Sequence, residues 1–191
     1  MNHVALRAAH TADAERIASF HTESWRRTYR GMMTDEFLDG GALENRRHVW
    51  HERLGSPAAN QYVCVAEDDS SIIGFICAFA GHDPAWGSYI DNLHVAYAAH
   101  RQGLGRTLMR DVARWLCRVR PDQGVYLWVM EANLSARAFY DRLGAANMGT
   151  IDLEDPGGGH APNCRYVWTR PHALLGEQRT GSELPHATLS P

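Results

Sequence analysis

His100-Arg101-Gln102-Gly103-Leu104-Gly105-Arg106 decides the reading of this chain. It stands between a strand-like run, Tyr89-Ile90-Asp91-Asn92-Leu93-His94-Val95, and residues 104–119. There Leu104, Leu108, Val112, Trp115, Leu116 and Val119 recur on one helical face. A turn that opens a helix straight after a strand presents unpaired N–H groups at the positive end of the helix dipole. Gly103 and Gly105 let an anion approach the backbone, and Arg101 and Arg106 place cations where the dipole does not favour them. The combination predicts a phosphate site. A Walker A loop needs a GK[ST] ending, which is absent, and a dinucleotide GxGxxG needs a third glycine where Leu108 stands. The local spacing alone also leaves open a plain glycine-rich connection between strand and helix.

Outward from the turn, Val125-Tyr126-Leu127-Trp128-Val129-Met130 is almost uniformly apolar, as in a strand covered on both faces, and residues 134–143 read as a helix closed by Gly144. Strand, helix and strand in succession imply a parallel pair joined by a crossover. Upstream, residues 61–67 and 72–79 form a predicted hairpin across Asp68-Asp69-Ser70-Ser71, and residues 81–87 a loop. Residues 4–7 suggest a short strand, and Thr11 an N-cap for a helix reaching about Tyr29. Residues 34–38 and 44–54 add two helical segments. Residues 146–153 and 164–169 read as a closing antiparallel hairpin around the Pro/Gly-rich stretch 155–162. From residue 171 the chain is polar and aperiodic, which predicts one domain over 1–170 and a loose tail over 171–191.

Bulk properties narrow the function. A length of 191 residues suits one domain. A net charge of -3 argues against a nucleic-acid partner, so any anion site must be local. No apolar leader or run of roughly 18 apolar residues appears, so no membrane partner is expected and a cytoplasmic location is. The four cysteines form no CxxC pair, and the eleven histidines form no HxxxH or HExxH pair, so no metal is expected.

Leu93-His94-Val95 followed by His100 to Gly105 resembles the Q/R-x-x-G-x-G/A signature of the GNAT superfamily of acyl-CoA N-acyltransferases. His100 stands at the Q/R position. Asn133-Leu134-Ser135-Ala136-Arg137-Ala138-Phe139-Tyr140-Asp141-Arg142-Leu143-Gly144 resembles the family's second signature, N-x-x-A-x-x-F-Y-x-x-x-G. The resemblance covers about residues 3–170. It implies an α/β (mixed α+β) fold with a central, mostly antiparallel twisted sheet, one parallel strand pair and flanking helices. It implies acetyl-CoA as co-substrate and an amine as acceptor, and it leaves a homodimer open. Backbone N–H groups of Gly103, Leu104 and Gly105, with His100, Arg101, Gln102 and Arg106, would hold the pyrophosphate. The edge of Leu93, His94 and Val95 would pair with the pantetheine arm, and Asn133, Ala136 and Phe139 would contact the same cofactor. Tyr140 would be the general acid for the leaving thiolate, since a phenol of pKa about 10 is protonated at neutral pH. The competing reading is that Phe139 and Tyr140 only pack their helix.

Transfer to an amine also needs a group that takes a proton. Strand alternation puts Asp91 on the same side as Tyr89, Leu93 and Val95, and an acid inside an apolar strand is costly unless paired or functional. Pairing with a loop N–H or an arginine is the alternative. Glu67, His94 and His160 are further candidates. By resemblance the first two helices shape the acceptor pocket, where Trp25 and Tyr29 are the expected substrate residues, beside Phe37, Glu23, Asp35 and Glu36. Aromatics with acids suit a cationic amine. Trp25 reads equally well as a core residue of its helix, and Trp50 reads as core. No cysteine sits in a nucleophile setting, which favours direct transfer over a covalent enzyme intermediate. The rival reading is a CoA-binding or sensing module without turnover, hinted at by His100.

Overall fold

The computed structural model describes residues 4–69 and 71–176. Seven strands, β1 (Val4–Ala8), β2 (Gln61–Asp68), β3 (Ser71–Asp83), β4 (Gly87–Val95), β5 (Val125–Met130), β6 (Ala146–Glu154) and β7 (His160–Trp168), make one sheet in the order β1-β2-β3-β4-β5-β7-β6. Every pairing is antiparallel except β4 with β5. The helices α1 (Ala14–Thr28) and α2 (Ala42–Gly55) cover one face around Ile17, Trp50 and Phe75. The helices α3 (Leu104–Val119) and α4 (Leu134–Arg142) serve the other. In α3 most of the predicted apolar stripe is buried: Leu108, Val112 and Leu116 are fully buried, each contributing about 1.5–3 kcal/mol by leaving water, whereas Val119 at the end of the helix is exposed. The mixed sheet with a single parallel pair is the architecture expected from the sequence. Among the described residues no helix is long and apolar enough to cross a membrane.

Several local expectations need correction. Thr11 is not an α-helical N-cap. Thr11–Asp13 form a 3-10 turn in which the Asp13 carboxylate accepts the His10 N–H at 2.9 Å, while the Thr11 hydroxyl donates to Leu54 O. Residues 37–41 form a π turn leading into α2. Strand β3 runs on to Asp83, and the closing hairpin is longer than expected, so its loop shrinks to residues 155–159. Pro171–Leu175 is not loose: it is a 3-10 turn whose Leu174 is buried in the α3-side core. Pro171, Leu174 and Leu175 anchor it despite the polar composition around them. Residues 177–191 of the expected tail lie outside the described residues.

One irregularity decides where the site can be. The β3–β4 register pairs Ile76 with Leu93, Cys77 with Asn92 and Ala78 with Ile90, which leaves Asp91 unopposed in a bulge. An extra residue reverses the alternation beyond it. Leu93 and Val95 therefore join the α3-side core, whereas Asp91 remains with the α1–α2 face and bonds to Arg53 of α2. The expectation that Asp91 shares a side with Leu93 and Val95 is thus overturned by a single inserted residue.

Candidate active site

The turn before α3 is sharply bent by two left-handed residues. Gly103, the residue preceding the helix, has φ +85°, and a Cβ there would meet open space, so its glycine is required by conformation rather than crowding. Arg101 also has a positive φ, +61°, which costs a non-glycine residue about 1–2 kcal/mol and concentrates strain at this turn. Left-handed residues interleaved with others turn successive amides inward. Among the described residues neither Arg101 nor Arg106 has an ion-pair or hydrogen-bond partner, so both cations remain available to an anion. Gly105 also has a packing role. A Cβ there would lie 3.3 Å from Phe139 and 3.9 Å from Val95, so its smallness brings α3, α4 and the end of β4 together. His100 turns back: its Nε2–H donates to Val95 O at 3.0 Å. Gln102 likewise donates to Ala98 O, at 2.8 Å.

Between the turn and the α1–α2 face the sheet opens. Strands β4 and β5 pair only at Ser88 with Val125 and Tyr89 with Tyr126, although both strands continue. Beyond Tyr89 the β5-facing edge of β4 has no strand partner, and β5 spends its other edge on β7. The wedge leaves that edge of β4 without a strand partner as far as Val95, whose carbonyl accepts from His100, and such an edge suits an extended ligand that pairs as a strand would. Asn133 caps α4, its Oδ1 accepting the Ala136 N–H at 3.1 Å. Ala136 and Phe139 pack against the α3-side core. Tyr140 is buried near Tyr166 and Trp168, with ring centroids 5.8 and 6.1 Å away. Burial, aided by the nearby Tyr29 hydroxyl, raises its pKa well above the ordinary phenol value, so it keeps its proton throughout the neutral range.

A cleft of about 260 Å³ lies on the α1–α2 face, lined among others by Trp25, Tyr29, Arg46, Arg53, Asp91 and His94. Arg53 donates to the Asp91 carboxylate at 2.5 Å, and Asn92 Nδ2 donates to the same oxygen. The guanidinium of Arg46 lies 4.3 Å over the Trp25 ring. His94 shares a hydrogen bond with Ser24 Oγ at 2.8 Å. Burial, then the Arg46 charge, holds its pKa at about 3. Trp50 Nε1–H donates to His21 Nδ1 at 3.0 Å, so neutral His21 carries its proton on Nε2, and burial drives its pKa well below 6.5. Both imidazoles are neutral at physiological pH. Cys77 also lies near Arg53, but burial pushes its thiol up to about 12, which removes it as a nucleophile.

The sequence matches the Acetyltransferase (GNAT) family over residues 15–145. The chain belongs to that family. It is 29% identical over 136 residues to "Uncharacterized N-acetyltransferase YuaI" of Bacillus subtilis, a match covering 69% of this chain and 75% of the relative. It is 26% identical over 146 residues to "Probable N-acetyltransferase Rv2775" of Mycobacterium tuberculosis, covering 74% and 79%. Its fold is similar to that of the PaiA N-acetyltransferase of Thermoplasma acidophilum, solved in complex with coenzyme A. The TM-score is 0.65 at 18% identity, over 87% of this chain and 99% of that one. In this GNAT acyltransferase, then, the two sequence signatures lie on the turn before α3 and on α4, which meet at Gly105 and Phe139.

Trp25, Tyr29, Asp91 and His94 come together at the cleft. The other base candidates do not: Glu67 is bound to Arg7 and Arg16 at 2.7 Å each, and His160 lies 3.7 Å from Asp152 on the exposed hairpin. The acids read beside the aromatics also turn away. Glu23 pairs with Arg26, Asp35 with Arg30, and Glu36 is exposed. What replaces them is cationic. Arg46 and Arg53 escaped the sequence reading, yet a signal was present: with Trp50 they recur at i, i+4 and i+7, on the face that the buried tryptophan marks as inward.

Proposed function

We propose that this chain transfers the acetyl group of acetyl-CoA directly to a primary amine. The observation that carries the reading is the β4–β5 wedge, with the bent cationic turn at one end and the acceptor cleft at the other. Acetyl-CoA supplies the activated acetyl thioester. Amides of residues 103–105 with Arg101 and Arg106 hold the pyrophosphate, and the free edge of β4 holds the pantetheine arm. His100 leaves that cradle intact because its ring is spent on Val95 O.

The reading gives the proton work to two residues. Tyr140, kept protonated by burial, donates to the departing sulfur. Asp91, the carboxylate lining the cleft, accepts the proton that the amine must lose. The positive charge of Arg46 and Arg53 favours the neutral, nucleophilic form of a bound amine. With both central cysteines buried and protonated near Arg53 and Tyr62, no covalent enzyme intermediate is required. The test is free-thiol release from acetyl-CoA over an amine panel. Tyr140→Phe is expected to lower kcat about 100-fold with CoA affinity retained. Unchanged turnover in that variant would remove Tyr140 as the acid.

A further inference from the structure

We infer that the acceptor carries a carboxylate beside its amine, and that Arg46 is the residue that receives it. The inference rests on the transferase reading and deepens it. Arg46 is only 7% exposed. Its Nε and Nη2 reach the neutral Asn45 side chain, its face stacks on Trp25, and among the described residues no carboxylate lies within ion-pairing distance. The carboxylate that does line the cleft, Asp91, is already engaged by Arg53. With His21 and His94 neutral, two guanidiniums and one carboxylate leave the cleft with one uncompensated positive charge.

A buried unpaired cation is expensive unless a counter-ion arrives. Burial and the neighbouring Arg53 do weaken Arg46, to about 10, but it remains charged at neutral pH. The cleft is small and the missing charge is a single anion, so the complementary ligand is a small zwitterion of the amino-acid type. A guanidinium offers two parallel donors that match a carboxylate. The same charge disfavours polycationic amines, which would bring further positive charge into a cleft already in excess.

The experiment compares kcat/KM for α-amino acids (alanine, methionine, glutamate, phenylalanine), their carboxamides and spermidine, using full-length protein and acetyl-CoA. The acids are expected to exceed their own carboxamides by tenfold or more, with spermidine poorest. In Arg46→Met that ratio should fall towards one, and in Arg46→Lys to an intermediate value, because the charge stays but the fork is lost. Calorimetric Kd for CoA, within threefold of the parent protein, verifies that each variant is folded. Equal turnover of acids and carboxamides by the parent protein, or a ratio unmoved by Arg46→Met, overturns the carboxylate assignment and leaves acetyl transfer standing. No turnover of any amine overturns the transferase reading and this inference with it. The parent-protein ratio alone decides the matter if both variants fail to fold.

Discussion

The two ends of the wedge are built from different materials. The turn before α3 is a backbone device, made by Gly103 and Arg101 at positive φ and by a helix end within a few consecutive residues. The cleft is a side-chain device. Its walls come from α1, α2, β4 and Pro156, segments spread over residues 21–156 of the chain. A backbone device depends on conformation more than on which side chains are present, so the same turn can recur through a whole family. A side-chain site is defined by which charges meet, and here the result is two arginines facing one aspartate.

That contrast can be broken most forcefully at the cleft. Asp91→Asn is expected to lower kcat/KM about 100-fold while the Kd for CoA, measured by calorimetry, stays unchanged, because the bulge separates Asp91 from the α3 face. A matching loss of CoA affinity would show that the two ends are not independent.

Acid should also act at the cleft first. His21 and His94 have folded pKa values depressed below the unfolded value near 6.5, so unfolding takes up protons. Their contribution is complete above pH 6.5 and is lost as pH falls towards 3. The slope is about 1.4 kcal/mol per pH unit for each histidine. Carboxylate pairs such as Asp13, held at about 2, respond only at lower pH. Denaturant unfolding between pH 6.5 and 4.8 should therefore show a slope that His94→Gln reduces. A flat profile would contradict the burial of both rings.

Effects at the turn should be smaller and confined to the cofactor. Gly103→Val forces a β-branched residue into a left-handed conformation, at about 1–2 kcal/mol, and should weaken CoA binding roughly tenfold in calorimetry. His100→Ala removes only the bond to Val95 O and is expected to change that Kd less than threefold. A larger loss would mean that the imidazole leaves Val95 to contact the ligand.

Much of this was legible in order along the chain. Helical period, glycine placement and the strand-turn-helix succession are local properties, so α3, α4, the parallel pair and the glycine turn before α3 could be read from residues near one another. The burial of Trp50 and the position of Tyr140 in the second signature were legible for the same reason. Pro171–Leu175 was missed because its order depends on docking against α3 rather than on its own composition.

The sequence by itself determined the periodicities, the two family signatures and the glycine turn between strand and helix. Only the tertiary structure decided which charges share the cleft. The bulge at Asp91 inverts a pattern that alternation alone would continue, and the burial of α2 carries Arg46 and Arg53 inward while Glu23 and Asp35 turn to solvent partners. Such choices depend on register and on contacts between distant segments, because a side chain's charge has no consequence for a site until packing brings it there.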